Sequence, residues 1–284
     1  MKSGKTESKK ELSFWEHLEA LRWMLFRCIG VVLVFSIAIF TYKDFIFNKI
    51  IFSPLTSDFY TYRLFCNLAN LLHLPALCPG DFKIGLINIS LSGQFMLHMT
   101  TSLIIALVIA VPYLLYEIWK FVSPALYPNE KKSVNLIFMS SSILFYLGAI
   151  LSYYTIFPFT LRFLGTYQIS NVINNQVSIQ SYLNTMALLV FFMGIAFELP
   201  VIIYLLSTIG ILNKDMLKKA RRYVLVIILI ISALITPTSD PFTMSIVAAP
   251  IYLLYELSIL VCKKENENEI EENSVENNVV EVTP

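Results

Sequence analysis

Glu198 is the residue that most demands a chemical account. It stands in Met193-Gly194-Ile195-Ala196-Phe197-Glu198-Leu199-Pro200, inside a long apolar run. Charge at that depth costs several kcal/mol by insertion scales, so an ionisable group there is a functional candidate by default. Two readings stand: a protonated carboxyl bonded to a neighbouring helix, or a polar group facing a cavity or a passing substrate. Glu117 and Glu256 close similar strings, Leu-Leu-Tyr-Glu, near the ends of their runs. Carboxylates and tyrosines are ordinary at interface depth, so structural roles are expected for both. Arg27 lies one turn into the first run, where its long side chain can reach the interface. His98 is expected to bond within the protein, because no second ligand stands at metal-site spacing. Asp240 follows Thr236-Pro237-Thr238-Ser239 and is expected to cap a tight turn.

Other chemistry is missing. The chain has no G-x-x-x-x-G-K phosphate loop and no H-E-x-x-H metal helix. It has no G-x-S-x-G elbow, and its 3 histidines are scattered. A hydrolase or an ATP-driven pump is therefore not expected, nor a metal or other cofactor. No nucleic-acid partner is expected either. Energy for any transport would come from the membrane potential.

The elements that carry these residues are six apolar runs, at 24–41, 94–118, 134–157, 182–208, 223–236 and 242–262. A span needs about 20 apolar residues to cross a hydrocarbon core of roughly 30 Å. With 284 residues and 56% hydrophobic content, the spans use most of the chain and leave no room for a separate globular domain. The expected fold is an all-α polytopic membrane protein. A polar segment 1–23 precedes the first span, without the cleavage pattern of a signal peptide. A long loop, 42–93, separates the first two spans. The segment 263–284 becomes rich in Glu and Asn after Lys263-Lys264, and is expected to be a disordered acidic tail.

Lysine and arginine near span ends set orientation. One side would hold Lys2, Lys5, Lys9, Lys10, Arg22, Lys120, Lys131, Lys132, Lys214, Lys218, Lys219, Arg221, Arg222, Lys263 and Lys264. The other would hold only Lys43, Lys49, Arg63, Lys83 and Arg162. Both termini are thus expected in the cytoplasm of a cell with this chain in its inner or plasma membrane, and 42–93 outside. An oxidising compartment permits, without requiring, a disulfide between Cys66 and Cys78 in that loop. Cys28 and Cys262 read as apolar fillers.

Several spans look irregular. The fifth is short: from Tyr223 to Thr236 it reaches only roughly 21 Å. Snorkelling of its basic flank, local thinning of the bilayer and shielding by neighbours all accommodate it. Pro112, Pro200 and Pro250 predict bends in the second, fourth and sixth spans. A curved bundle with a concave face would result. The competing reading is a proton-coupled secondary transporter of a small solute, with Glu198 as its proton site. Such a transporter should carry an inverted repeat, and the two halves share no obvious motif.

Four strings give the chain a specific resemblance. They are His17-Leu18-Glu19-Ala20-Leu21-Arg22; Phe121-Val122-Ser123-Pro124-Ala125-Leu126-Tyr127-Pro128-Asn129-Glu130-Lys131-Lys132; Phe145-Tyr146-Leu147-Gly148 with Phe157-Pro158; and Ile235-Thr236-Pro237 with Asp240-Pro241-Phe242, leading to Ala249-Pro250 and Tyr255-Glu256. With Glu198-Leu199-Pro200, they resemble the TatC subunit of the twin-arginine protein translocase over about residues 14–262, with an insertion around 56–88.

The resemblance implies a core receptor that binds signal peptides bearing consecutive arginines. It implies export of folded proteins by the proton-motive force, with the receptor complex containing further copies of the chain. It places signal-peptide binding on cytoplasmic carboxylates. Glu130 matches one of these, Phe121 the associated aromatic, and Arg22, Pro124 and Leu126 lie in the same motifs. The family's other glutamate falls on Ala20, so Glu19 or Glu16 would have to supply that charge. Small single-span partners of the TatA/TatB type would dock along the last two helices. Thr243 stays polar there, and Met244 stands where glutamine is common. Asp240 and Pro250 belong to the same region, and Pro54 resembles an outer-loop segment that caps the concave face.

Overall fold

The computed structural model describes residues 14–56, 58–71, 84–122, 134–170, 175–238 and 240–262. They are almost entirely helical. Five helical runs are long and apolar enough to cross a membrane: Trp15–Thr41, Gly93–Phe121, Ile137–Thr166, Ile179–Thr208 and Pro241–Leu260. Large apolar side chains such as Phe26, Val34, Ile37, Leu234 and Leu260 point outward from their helices. In lipid such a surface is solvated, and helices satisfy their own backbone. The chain forms a multi-pass membrane protein.

The elements in order are α1 (Phe14–Thr41), α2 (Lys43–Phe45), α3 (Tyr60–Leu71), β1 (Leu86–Ile87), α4 (Gly93–Val122), α5 (Val134–Leu151), α6 (Phe157–Thr166), β2 (Val177–Ser178), α7 (Ile179–Ala196), α8 (Leu199–Thr208), α9 (Lys214–Ile235) and α10 (Pro241–Val261). They fall into two compact units, one of 1–46 with 98–142 and one of 47–97 with 143–284.

In the first unit α1 begins at Phe14, so the end of the expected N-terminal segment is already helical. Pro112 lies inside α4, which continues through it. The ring of Phe40 stacks on that of His98, centroids 3.9 Å apart. Tyr116 meets Phe138 edge-on at 5.9 Å.

The second unit holds the irregular backbone. The loop after the first span contains a π-turn, Ile46–Ile51, a 3-10 turn, Ser53–Leu55, and the helix α3. The third span does not stop near residue 157. It passes through a second π-turn, Ser152–Ile156, and continues as α6 to Thr166. Pro158 follows that π-turn directly and does not stop the helix. Side-chain hydroxyls bond the carbonyls of both π-turns. Tyr153 donates to Ile50 O at 2.6 Å, Tyr182 to Ile51 O at 2.5 Å, and Thr61 to Tyr154 O. The Tyr62 hydroxyl donates to Pro158 O at 3.1 Å and reaches Pro54 O at 3.4 Å, which ties the buried Pro54 to the base of α6. Burial pushes the Tyr62 phenol well above its ordinary value. Cys66, on α3, is disulfide-bonded. Cys78 lies outside the described residues, as does the tail 263–284. β1 and β2 form a short parallel pair, with Leu86 opposite Val177 and Ile87 opposite Ser178.

The fourth span is broken where Pro200 predicts. α7 ends at Ala196, and α8 starts at Leu199 with the proline in its first turn. Pro250, by contrast, stays inside a continuous α10. The fifth run departs most from expectation. It is not a short helix from Tyr223 but 22 residues from Lys214, with the basic cluster inside it. At 1.5 Å per residue that is about 33 Å, of which the apolar part supplies roughly 20 Å. The lysines and arginines continue the helix because their straight side chains are good helix formers.

Phe145-Tyr146-Leu147-Gly148 acquires a physical reason here. A Cβ on Gly148 would lie 2.6 Å from the Met193 carbonyl oxygen and 2.7 Å from the Phe197 ring. One on Gly194 would lie 2.6 Å from the Phe145 ring. Each glycine admits the partner helix's aromatic, so α5 and α7 approach closely. Gly148→Ala must displace backbone, and is expected to destabilise by about 1–3 kcal/mol. The thermal midpoint of the detergent-solubilised protein reads this; an unchanged midpoint would mean the helices separate at no cost.

Candidate functional site

A cleft of about 150 Å³ opens in the first unit, lined by His17, Ala20, Met24 and Arg27 of α1 and by Glu117, Lys120 and Phe121 of α4. The α1 residues recur at helical spacing and form one face. The His17 and Phe121 rings stack with centroids 4.3 Å apart and planes 28° from parallel. Ala20 adds only a methyl group, which leaves the space beside them open.

An ion pair borders this cleft. Arg27 Nη2 donates to Glu117 Oε2 at 2.8 Å, and Tyr113 Oη donates to Glu117 Oε1 at 3.1 Å. The Glu117 side chain is 5% exposed and that of Arg27 47%. The second unit repeats the pattern between α9 and α10. Arg221 Nη2 donates to Glu256 Oε2 at 2.7 Å, and Tyr252 Oη to Glu256 Oε1 at 3.2 Å. The sequence contains the signal for both, since Tyr-Leu-Leu-Tyr-Glu occurs at 113–117 and again at 252–256. The arginines escaped sequence reasoning because each comes from another helix, 90 and 35 residues away.

Of the other candidates, Phe121 stands at the cleft, while Glu16, Glu19 and Arg22 are exposed on α1 outside its lining. Glu16 lies four residues before Ala20, on nearly the same helix face, and Glu19 about 100° away. Arg22 places its guanidinium 5.9 Å from the Trp23 ring centre. Glu130, Pro124 and Leu126 lie outside the described residues. Glu198 is 9% exposed at the junction of α7 and α8, where its side chain makes no capping bond. Thr243 is fully buried, Met244 and Pro250 are half-buried. Among the described residues no three His, Cys, Asp or Glu side chains group as a metal site.

Asp240 caps α10. Its Oδ1 accepts the Thr243 N–H at 2.8 Å and its Oδ2 the Thr238 hydroxyl at 2.7 Å. Partial burial pushes the carboxyl up, but bonds from Thr243 and Thr238 outweigh this and hold it below the ordinary carboxylate value.

Five helical runs long and apolar enough to cross a membrane, with carboxylates paired to arginines of other helices, define a polytopic membrane protein. The family model for Sec-independent protein translocase protein (TatC) matches residues 16–250. The chain belongs to the TatC family. Sec-independent protein translocase protein TatC of Blattabacterium sp. subsp. Periplaneta americana (strain BPLAN) is 34% identical over 255 residues, 89% of this chain and 96% of that protein. The TatC of Helicobacter pylori (strain J99) is 32% identical over 266 residues, 92% and 95% of the respective chains. A crystal structure of twin-arginine translocase receptor TatC in DDM superposes with a TM-score of 0.70 at 31% identity, covering 87% of this chain and 100% of that one. A second TatC receptor structure gives a TM-score of 0.65 at 30% identity, covering 87% and 97%. The chain is a subunit of the twin-arginine translocase and not an enzyme; it works in a complex with other Tat components.

The cap gives a pH-dependent expectation. A carboxyl lowered on folding adds stability above its unfolded value of about 4, and this is lost as pH falls through the folded value. Asp240→Ala should cost about 0.5–2 kcal/mol at pH 7. Its thermal midpoint should converge with that of the wild type in acid; a constant gap would separate the cap from the carboxylate's charge.

Proposed function

We propose that the chain is the receptor subunit that binds twin-arginine signal peptides through carboxylates on its cytoplasmic face. In this reading α9 makes a sixth crossing, both termini face the cytoplasm of a cell bounded by the inner or plasma membrane, and 42–93 lies outside. The sequence's charge distribution supports that orientation, since lysine and arginine concentrate in alternate connections between the apolar runs. Glu130 and one of Glu16 or Glu19 accept the paired guanidinium groups, beside Phe121. Arg22, Pro124 and Leu126 hold the surrounding segments. TatA/TatB-type single-span proteins dock along α9 and α10 near Thr243, Met244 and Pro250, further copies of the chain join the complex, and the proton-motive force drives export of folded cargo. Glu198 faces the path of the cargo or of its leader.

The match to the family across residues 16–250 carries this reading. The aromatic and acidic residues around the cleft supply a chemistry to go with it. A guanidinium pairs bidentately with a carboxylate, and two of them require two acceptors. An ammonium cannot reproduce that fork.

Binding of a labelled twin-arginine leader to the full-length protein tests the proposal. Glu130→Gln should weaken binding about tenfold or more, as loss of a charged hydrogen bond does. A lysine-lysine leader should bind the wild type as poorly. Equal affinity for the two leaders would overturn the reading.

A further inference from the structure

We infer that Glu117 is a guanidinium acceptor held in reserve: Arg27 occupies it in the resting protein, and one arginine of an incoming leader takes Arg27's place. The inference rests on the receptor reading above and adds a residue to it.

The ion pair is unequal in a way that a simple structural brace does not require. Glu117 is nearly enclosed, and a buried carboxylate stripped of its cation costs several kcal/mol. It therefore needs a guanidinium at all times. Arg27 is half in the open, so its head can swing into water and recover its hydration. The two carboxylate oxygens are also used differently. Oε1 takes the hydroxyl of Tyr113, four residues back on the same helix, which fixes the acid's orientation. Oε2 takes Arg27, from another helix. Only the second bond has to be exchanged.

The open volume lies on the same side. Glu117 and Arg27 both line the cleft that Ala20 leaves unfilled, and the stacked His17 and Phe121 rings stand at it. A planar cation on an aromatic face beside a carboxylate is a favoured arrangement for arginine. Lys120 lines the same space, and its positive charge opposes a second cation being added next to Arg27. Exchange places one guanidinium for another on Glu117, and the displaced Arg27 head, moved outward, repels less because exposed charges are screened.

Exchange also accounts for a requirement for two arginines. Arg27 is tethered, so it competes at an effective concentration in the millimolar range. A leader with a single arginine offers the same bond and no advantage. A leader with two can place one on Glu117 and the other on a carboxylate outside the cleft. The second contact is intramolecular once the first is made, and that tips the balance.

The test uses full-length protein in lipid nanodiscs and fluorescently labelled synthetic leaders, with binding read by anisotropy. Arg27→Gln should tighten the twin-arginine leader about tenfold by removing the tethered competitor. It should also let a single-arginine leader bind measurably. Glu117→Gln should weaken the twin-arginine leader about tenfold, and the double variant should behave as Glu117→Gln. Should Arg27→Gln fail to fold, Arg27→Lys, which keeps the charge without the fork, should give a smaller tightening. Unchanged or weaker binding by whichever folded Arg27 variant is measured would overturn the inference. A Glu130→Gln arm keeps the two proposals apart. If Glu130→Gln weakens the leader while the Arg27 variants do not tighten it, only the exchange fails. If arginine and lysine leaders bind the wild type alike, the receptor reading itself fails.

Discussion

Hydrocarbon offers no water to a polar group, and the structure is arranged around that absence. Glu117 and Glu256, near the C-terminal ends of α4 and α10, each have a guanidinium from another helix and a tyrosine from their own. Arg27 and Tyr113 serve Glu117, and Arg221 and Tyr252 serve Glu256. The same rule governs the backbone. Where π-turns interrupt the regular ladder, the hydroxyls of Thr61, Tyr153 and Tyr182 take the carbonyls of Tyr154, Ile50 and Ile51. Irregular backbone is tolerated where such replacement donors take its freed carbonyls. Part of the high tyrosine content, 15 residues, thus serves to satisfy carbonyls where the backbone is irregular.

Proline position follows from the same accounting. Pro54, Pro200 and Pro241 each stand in the first turn of a helix, where no intrahelical partner awaits the missing N–H, and Pro158 directly follows a π-turn. Pro112 and Pro250 sit inside helices that continue through them. The sequence alone treats Pro112, Pro200 and Pro250 alike, as bends. Only Pro200 interrupts its helix, after Phe197 and Glu198 have already turned the chain.

What the sequence revealed was set by range. Apolar runs are local, and the long helices lie where hydropathy puts them, apart from ends that depend on neighbours. Thr166 closes the third span, beyond 157, because α6 is secured by Tyr62 and by the packing of Phe163 on Phe242, 4.0 Å between ring centres. The basic residues of α9 look like a flank in a hydropathy profile but continue the helix, since charge does not interrupt hydrogen bonding along the backbone. Asp240 was legible as a cap because Asp-Pro at a helix start is a local signal. The partners of Glu117 and Glu256 were not, because nothing within a few residues of either carboxylate names the arginine. The motif Phe145-Tyr146-Leu147-Gly148 was visible as a string, but its reason, the seating of Phe197 on Gly148 and of Phe145 on Gly194, requires α7.

The two Tyr-Leu-Leu-Tyr-Glu strings show how identical residues come to different ends. In the second, Tyr255 donates to the Leu217 carbonyl at 2.6 Å, which fastens α10 to the first turns of α9 independently of the ion pair. Glu256 is 31% exposed, so water can attend it whenever Arg221 moves, and such a pair contributes little to stability. Its work is to hold two consecutive helices in register. In the first string Tyr116 meets Phe138 edge-on, and Glu117 is only 5% exposed. With so little of its surface exposed, Glu117 depends on the Tyr113 hydroxyl and on whichever cation reaches its other oxygen. Sequence identity thus sets the geometry of both clusters, but burial and an adjoining open cleft decide which of them is a brace and which is suited to binding.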